Sequence, residues 1–324
     1  YKNLYFFWYL IDHTYERIMR KDRRRQHEGK EEPKKSIFYM GCAVWGCKEW
    51  EGSLYPSDCD RKYHLSLYSQ RFHAVEGNTT FYGVPSHETL LSWKEQFHKD
   101  FKIAIKIPRS ISHNVALAPH REEAQAFVRH ITEVLSPNNL APFFLLLPPD
   151  YDVSKGPDLS IFLNYWRKVI QQPISVSLRH RSWFTSENEE RINRMLFRLG
   201  HGRVILDTRP IYEGPSGAQE GCPNKKPQLP IHTSCTNQDI FVRLICNPVA
   251  HANEPYFQWW IPHIARWIQE NLDKDAKKQG AKPVPAPPIA VDPVAPRPVN
   301  PPIFDPGAKA MEQAKKQAKE DTAK

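Results

Sequence analysis

Seven short apolar segments, separated by helical patterns, constrain the fold of this chain more than any other feature of its sequence. Each segment has five to seven residues and is rich in apolar side chains, which is typical of strands covered on both faces. The predicted strands are Ile37–Ala43, Phe72–Glu76, Phe101–Ile107, Phe143–Leu147, Ile174–Leu178, Arg203–Asp207 and Ile240–Ile245. Strands that alternate with helices predict a parallel sheet, closed as a barrel or wound on both sides.

Apolar residues recur at helical spacing in the intervals between the predicted strands. The recurring sets are Leu90, Trp93 and Phe97; Phe127, Ile131, Val134 and Leu135; Ile192, Met195, Leu196 and Leu199; and Trp260, Ile264, Trp267 and Ile268. Gly200 follows the third set and is predicted to end that helix, because glycine readily adopts the left-handed conformation found at helix ends. No GxGxxG or P-loop motif follows any predicted strand, which argues against a nucleotide-binding Rossmann domain. We expect one domain over residues 36–272.

The second predicted strand ends in polar residues, and this end indicates a site more clearly than any other part of the sequence. Glu76 lies in the strand, Asn78, Thr79 and Thr80 follow it, and Pro85 introduces the next helix. In parallel α/β proteins, ligand-facing groups collect at the carboxyl ends of the strands. We therefore expect these side chains at a ligand-facing edge of the sheet.

Charged and histidine side chains also follow the other predicted strands. Candidates for anion or ligand binding are Asn78, Lys106, His113, Arg179, Arg209 and Arg243, and candidates for catalysis are Glu76, Asp207 and His180. Glu76 and Asp207 can act as an acid/base pair if they lie close together. We expect both to lie in one cavity with Arg179 and Arg243, which end the fifth and the seventh predicted strands. The alternative is a buried ion network that fills this end of the fold. We expect no metal and no cofactor.

Eight motifs occur in register along the domain. They are Gly41 with Trp45 and Trp50; Val75–Pro85; Lys106–Pro108 with Ile111–His113; Leu145–Pro149; Arg179 and His180 with Trp183 and Phe184; Arg203–Pro210; Lys225–Pro227 with Pro230–His232; and Val242–Leu244. In this order they resemble the YecE-like family, a TIM-barrel family whose biochemical function is not established. The resemblance implies a TIM-like (β/α) barrel for residues 36–272, with its ligand-facing groups at the carboxyl ends of the strands.

The chain departs from the pattern of this family at several positions. Ser177 stands where members usually have Glu, Arg181 where they have Pro, and Cys246 where they often have Gly. An eighth strand should follow the helix at Trp260–Leu272, but a proline-rich segment follows it, and proline does not fit a central strand. We expect an incomplete barrel of seven strands, whose eighth position is empty, covered by the chain's own extensions, or filled by a partner.

The two ends of the chain differ in composition from the domain. Residues 1–35 begin with Tyr1 rather than Met, so we expect an upstream part, and they combine an apolar aromatic run with a basic segment. The run is either the end of a membrane helix, with Tyr5, Phe6, Phe7 and Trp8 touching the membrane, or an amphipathic helix on the barrel or a partner. Residues 273–324 are rich in proline and then in lysine and alanine, which predicts an extended arm followed by a short solvated helix.

These features favour a structural accessory subunit over an active enzyme. We expect residues 1–35 and 273–324 to bind other protein subunits of a large membrane-associated assembly, such as a mitochondrial respiratory or ATP synthase complex. The alternatives are an active hydrolase-like barrel enzyme acting on an anionic or phosphorylated small molecule, and a ribosome-associated or RNA-binding protein, which the net charge of +9 permits. The six cysteines include no CxxC pair, so we expect free thiols in a reducing, intracellular compartment, and one inside mitochondria if the assembly is mitochondrial.

Overall fold

The computed structural model of the protein describes residues 38–215 and 226–278, with side chains to residue 274. Within these ranges strands alternate with helices, and the protein has an α/β fold with parallel sheets. The strands are β1 (Gly41–Cys42), β2 (Ala74–Gly77), β3 (Lys102–Ile105), β4 (Phe143–Leu146), β5 (Ile174–Ser177), β6 (Gly202–Arg203), β7 (Ile205–Asp207) and β8 (Val242–Leu244). Every predicted strand overlaps one of them, and the predicted sixth strand overlaps two, β6 and β7, which are separated by Val204.

Helices occupy the intervals between the strands. They are α1 (His64–Ser69), α2 (His87–Gln96), α3 (Arg109–Ser112), α4 (Arg121–Val134), α5 (Gly156–Tyr165), α6 (Ser186–Leu199), α7 (Arg209–Tyr212) and α8 (Glu254–Lys278). Shorter 3-10 turns lie at Lys48–Trp50, Arg61–Tyr63, Thr79–Phe81, Ala118–His120, Val153–Lys155, Arg181–Phe184 and Ala250–Asn253, and a π-helix at Trp166–Ile170 follows α5. Gly200 ends α6 with φ +70°, which confirms its predicted role. Helix α8 continues past residue 272, the boundary expected from the sequence.

The strand order follows the chain. Parallel pairing joins β1, β2 and β3, then β4, β5 and β6, then β7 and β8, and bridges such as Lys106↔Phe144 link β3 to β4. The amide of Val204 donates to Val176 (2.9 Å), and that of Ile205 donates to Phe241 (2.9 Å), so residues 202–207 pass from β5 to β8. No pairing joins β1 to β8 among the described residues, and the structure therefore contains no closed barrel there.

Alternate side chains along each strand point to two different apolar layers. Phe143 faces outwards, where its ring contacts Phe127 of α4 and Trp166. The adjacent Phe144 faces inwards, where its ring centroid lies 5.3 Å from that of Phe241. Successive strand side chains point to opposite faces, so a continuous apolar strand supplies both layers. The outer layer, between strands and helices, is the large core, and the inner layer adds only a few buried residues.

Helix α8 lies over the last strands and extends towards the first. Its Trp260 and Trp267 pack on Ile205 of β7 and on the apolar side chains of β8. Further along the same helix, Ile268 and Leu272 pack with Phe38, which precedes β1. The helix thus covers the outside of the interval between β8 and β1. Among the described helices, none is both long enough and apolar enough to cross a membrane.

Cysteine side chains lie on both sides of this interval. Burial raises the pKa of the Cys246 thiol, which follows β8, to about 11, and Cys42 of β1 is the next largest cause. The sheet is curved, because Glu76 of β2 and Arg243 of β8 are hydrogen-bonded (2.7 Å) although their strands are far apart in the strand order. No disulfide joins Cys42, Cys47, Cys59, Cys235 and Cys246, and Cys222 lies outside the described residues.

Several sequence expectations also fall outside the described residues. They are those for Ile37, Lys225, residues 1–35 including the aromatic run, and residues 279–324 including the proline-rich arm.

Candidate functional site

Glu76 and Arg243 form a bidentate ion pair on the inner side of the sheet. Glu76 lies in β2 and is 8% exposed, and Arg243 lies in β8. The Arg243 guanidinium donates from Nε to Oε2 (2.7 Å) and from Nη2 to Oε1 (3.0 Å). This geometry uses both carboxylate oxygens and is the strong form of such a pair. It also joins the second strand to the last across the inside of the curved sheet.

Lys106 lies beside this pair, directly after β3. Its ammonium donates to Asn78 Oδ1 (3.1 Å) and lies 4.2 Å from the centroid of the Phe81 ring. Burial is the main reason that the pKa of Lys106 is lowered to about 8; Glu76 opposes this shift, whereas Arg243 and Arg179 add to it. An ammonium in this position gives up its proton more readily than a solvated lysine.

Arg179 and His113 complete the same side of the site. Arg179 Nε donates to the Leu147 carbonyl (2.6 Å), and its Nη2 lies 3.4 Å from His113 Nε2. Burial and the charge of Arg243 lower the pKa of Arg179 to about 10, against the effect of the exposed Asp150. Burial, then Arg179 and Lys106, lower the pKa of His113 to about 4, so its ring is neutral at pH 7.

The neutral His113 ring has one tautomer that fits its neighbours. Arginine only donates, so Nε2 accepts from Arg179 and the proton lies on Nδ1. That nitrogen is 3.0 Å from Ser112 Oγ, which in turn donates to the Pro108 carbonyl (2.9 Å). His113 thus accepts from a cation and does not supply a charge to the site.

We call Glu76, Asn78, Lys106, His113, Arg179 and Arg243 the inner ion group. Three of its members are cations and one is a buried carboxylate, and a second carboxylate, Asp150, lies nearby at the exposed surface. The single buried carboxylate is held by Arg243. The group is therefore rich in positive charge, and this charge is suited to binding an anion rather than to removing a proton.

Asp207 lies in a different place. It is 1% exposed, on the helix-facing side of β7, where Oδ2 accepts from Trp260 Nε1 of α8 (2.8 Å). Arg209 donates to it from Nε (2.9 Å) and Nη2 (2.7 Å), and also from its backbone amide (3.0 Å). The Arg209 guanidinium lies 4.1 Å from the ring centroid of Trp259. We call Asp207, Arg209, Trp259 and Trp260 the outer ion group.

The expected acid/base pair of Glu76 and Asp207 is not formed. Glu76 belongs to the inner ion group with Arg179 and Arg243, and Asp207 to the outer one. The reason is strand parity, since Asp207 follows Leu206 by one residue and adjacent side chains point to opposite faces. The expected convergence of all four residues is therefore wrong for Asp207, whereas Glu76 and Arg243 meet as a bonded pair.

The remaining candidates have local structural contacts. His180 is not part of the inner ion group: its Nδ1 accepts from the Ser182 amide (3.2 Å), which caps the 3-10 turn that follows. Thr80 is fully buried, and its hydroxyl lies 3.0 Å from the Gly77 carbonyl and 2.6 Å from that of Lys106, which ties β2 to β3. Asn78 fixes the same corner, because its Nδ2 donates to the Ala43 carbonyl (2.9 Å).

Sequence reasoning missed the aromatic walls of the inner ion group. Phe81 faces Lys106, and the Phe144 ring lies 4.9 Å from the Arg243 guanidinium and 5.8 Å from the Lys106 ammonium. Nothing in a strand as uniformly apolar as β4 tells which phenylalanine faces inwards. The inward-facing phenylalanine could have been identified only from the register of β4 relative to Lys106, which pairs with Phe144. No group of three or more metal-ligating side chains occurs among the described residues.

Comparison with known proteins identifies relatives over most of the chain. The model of the family described as "Protein of unknown function DUF72" matches residues 39–279. The YecE protein of Escherichia coli (strain K12) is 31% identical over 236 residues, which are 72% of this chain and 83% of that protein.

Solved structures of two DUF72 family proteins also match. The one from Thermotoga maritima is 20% identical, with a TM-score of 0.47 over 64% of this chain and 73% of its own. The one from Enterococcus faecalis is 18% identical, with a TM-score of 0.43 over 59% of this chain and 72% of its own.

Proposed function

The chain belongs to the DUF72 family, and from this premise we propose that it is a structural, non-catalytic subunit of a larger assembly. The observation that carries the proposal is the state of the two candidate catalytic carboxylates. Glu76 and Asp207 are each held by a bidentate arginine, and each is buried. A general base needs a lone pair directed at the substrate. The four lone-pair sites of Asp207 are all taken by Arg209 and Trp260, and two of the four sites of Glu76 are taken by Arg243.

We propose further that the scaffold is a TIM-like barrel with one strand position not filled by β1–β8. The parallel strands follow chain order, the strands have an inner and an outer apolar layer, and β2 meets β8 through Glu76 and Arg243. Helix α8 covers this interval from outside. A barrel site is built from loops around the whole ring, so an unfilled position weakens the case for catalysis.

The edge of β8 supports an association with another chain. The carbonyl of Phe241 accepts from Ile205, and the amide of Ile245 donates to Asp207, so both face β7. In a parallel strand, alternate residues direct their amide and carbonyl groups to opposite edges, which turns those of Val242 towards the open side. Proteins normally cover such an edge. In the proposed assembly, an extended segment of a partner pairs along it.

The native mass of the full-length chain, purified from the cells that make it, tests this function. We expect a stable particle that contains other proteins in fixed ratio. The variant Val242→Pro removes a backbone N–H donor from the open edge of β8. Its partner proteins should be lost, while its far-UV circular dichroism spectrum stays that of the wild type. The control is Val115→Pro, which lies in an exposed loop. The proposal is refuted if the protein is a monomer with enzymatic turnover and Glu76→Ala abolishes that turnover. The protein would then be an enzyme and not a structural subunit.

We propose that the assembly lies at a membrane and that its compartment is the mitochondrion. The support for this part is the aromatic and basic N-terminal sequence alone. Fractionation of cells checks this part independently, since the particle should sediment with membranes and be released by detergent. Recovery in the supernatant without detergent would refute it.

A second candidate function is an enzyme of hydrolase type that acts on an anionic or phosphorylated small molecule. The excess of cations in the inner ion group favours it. The same assay that measures turnover in the Glu76→Ala variant decides between the two functions.

A further inference from the structure

The last strand of the sheet is less buried than the strands before it. Every residue of β3, β4, β5, β6 and β7 is buried, whereas Val242, Arg243 and Leu244 of β8 are all partly exposed. The flanking Phe241 and Ile245 are partly exposed as well. Apolar strands of a parallel sheet are normally covered on both faces, and their edges are normally paired or protected. The exposure of β8 therefore marks it as an edge strand among the described residues.

The exposed edge of β8 has backbone groups that can pair with a further strand. Phe241, Arg243 and Ile245 direct theirs towards β7, so Val242 and Leu244 direct theirs to the other edge. Within residues 38–215 and 226–278, β7 is the only strand that pairs with β8. An edge of this kind binds an extended segment through its main chain, while alternate side chains of the segment set the specificity.

Helix α8 has a partly exposed side chain beside this edge. Trp260, Trp267 and Ile268 lie on the sheet-facing side of the helix and are buried. Ile264 lies among them at helical spacing, but it is only partly buried. It packs on one side with the two tryptophans and β8, and on the other with Ile268 and Leu272. Ile264 therefore lies over the interval between β8 and β1, where no described strand supports it.

The ion pair of Glu76 and Arg243 limits what fits on the inner side of this edge. Arg243 points inwards from β8 and reaches Glu76 of β2, so the pair runs along the inner side of the interval between the two strands. A segment beside β8 has its inward side chains next to this pair. A large one would displace Arg243 and leave the buried Glu76 carboxylate uncompensated, which is costly. Only small inward side chains are compatible with the pair.

We propose that the edge of β8 binds one extended segment of another protein subunit by strand addition, and that this segment alternates large apolar with small side chains. Val242 and Leu244 pair with its main chain. Because the side chains of a strand alternate between its two faces, the large residues pack outwards against Ile264 and the small residues lie inwards beside Arg243. The inference rests on the structural role proposed above and specifies the chemistry of the partner.

The sequence of this chain outside the described residues favours another subunit as the source of the segment. Residues 5–11 have a large side chain at every position, so they would place large groups inwards. Between residues 283 and 306 no run of five residues is free of proline, which lacks the amide donor that strand pairing needs. The other stretches are mainly polar or charged. A segment that alternates large apolar and small residues is therefore supplied by another chain.

Hydrogen exchange of the purified particle, measured at single amides by mass spectrometry, tests the pairing. We expect the amides of Val242 and Leu244 to exchange at least about tenfold more slowly in the particle than in the full-length chain produced alone. The amide of Ile245, which donates to Asp207 (2.8 Å), is the internal control and should exchange slowly in both. Equal rates for Val242 and Leu244 in the particle and in the chain alone would overturn the inference.

Photocrosslinking identifies the segment itself and does not require the chain to fold alone. Benzoylphenylalanine in place of Ile264 should cross-link, within the particle, to one segment of another protein, whose sequence alternates large apolar and small residues. The matched control is the same replacement of Ile161, which is 53% exposed on α5, and it should not cross-link to that segment. The inference is refuted if position 264 cross-links only to this chain's own residues, to no other protein, or to a segment without the alternation.

The native mass and these two experiments can fail separately. A particle of fixed composition whose β8 edge stays unprotected refutes the strand addition and leaves the structural subunit standing. A monomer refutes the structural subunit itself.

Discussion

The inner and outer ion groups contain the same kind of bidentate arginine–carboxylate pair and differ in everything around it. In the outer group, Asp207 also accepts from Trp260, and Arg209 stacks on Trp259, so both ions are enclosed by α8. In the inner group, the pair of Glu76 and Arg243 lies beside further cations and is flanked by the ring of Phe144. The outer pair is enclosed by aromatic side chains of one helix, and the inner pair lies among other charged side chains.

This difference shows that two similar arginine–carboxylate pairs can have different roles. A buried pair that is enclosed by neighbouring side chains holds the elements around it together. A pair that lies beside further cations is part of a wider electrostatic field. The removal of a carboxylate should therefore affect stability differently in the two groups.

The largest expected effect is that of Asp207→Ala in the outer group. It leaves the buried Arg209 guanidinium and the Trp260 N–H without their acceptor, and we expect the free energy of unfolding to fall by about 3–5 kcal/mol. Urea denaturation followed by tryptophan fluorescence measures it. Glu190→Ala, which removes an exposed ion pair with Arg194 on α6, is the control and should change little. Equal effects for the two variants would show that the outer pair is not structural.

Glu76→Gln in the inner group should be less destabilising, by about 2 kcal/mol, because Arg243 remains partly solvated. Urea denaturation followed by tryptophan fluorescence measures this loss. Asp207→Asn in the outer group is the comparison, and its loss should be larger because Asp207 also accepts from the Trp260 N–H. Equal losses in the two variants would remove the distinction between the groups.

The dependence of stability on pH should show a step from Lys106. Its pKa is near 8 in the folded protein and about 10.4 in the unfolded chain, so the unfolded chain binds more protons between these values. The stabilising effect is complete above the unfolded pKa and is lost as pH falls through about 8, with a size of about 1 kcal/mol after solvent screening.

The measurement is the free energy of unfolding in urea between pH 7.5 and about 10, in wild type and Lys106→Met. The raised pKa values of Cys42 and Cys246 act in the opposite direction above pH 9, so only the difference between the two proteins isolates Lys106. A difference that does not change with pH would mean that Lys106 is solvated.

The smallest effect expected is the one from His113. Its folded pKa of about 4 lies below the ordinary value, so its contribution to stability is present above pH 6.5 and lost as pH falls through 4. Because the ring is half-buried and screened, we expect less than about 1 kcal/mol in the difference between wild type and His113→Gln. NMR titration of the histidine ring reads the pKa directly, and a value near 6.5 would contradict the burial described for the inner group.

The sequence alone predicted the positions of the strands, and the reason is local. Apolar runs such as Phe143–Leu147 bury themselves on both faces wherever they lie, and Gly200 ends α6 because a left-handed residue is needed there. The family resemblance was confirmed by the match over residues 39–279. The charged residues that follow the strands were also identified correctly as side chains near the sheet ends. The expected incomplete TIM-like barrel was not confirmed, since the structure shows parallel sheets and no closed barrel among the described residues.

Tertiary structure decided which of those charges meet. Adjacent side chains of β7 point to opposite faces, and Asp207 lies on the face beneath α8, away from Glu76. No property of Asp207 itself indicates which face it takes. The pairing of Glu76 with Arg243 joins residues 167 positions apart, which depends on the curvature of the whole sheet. Sequence determines which segments are strands because burial is a property of the segment. It leaves open which ions pair, because a pair depends on the relative placement of elements that are distant along the chain.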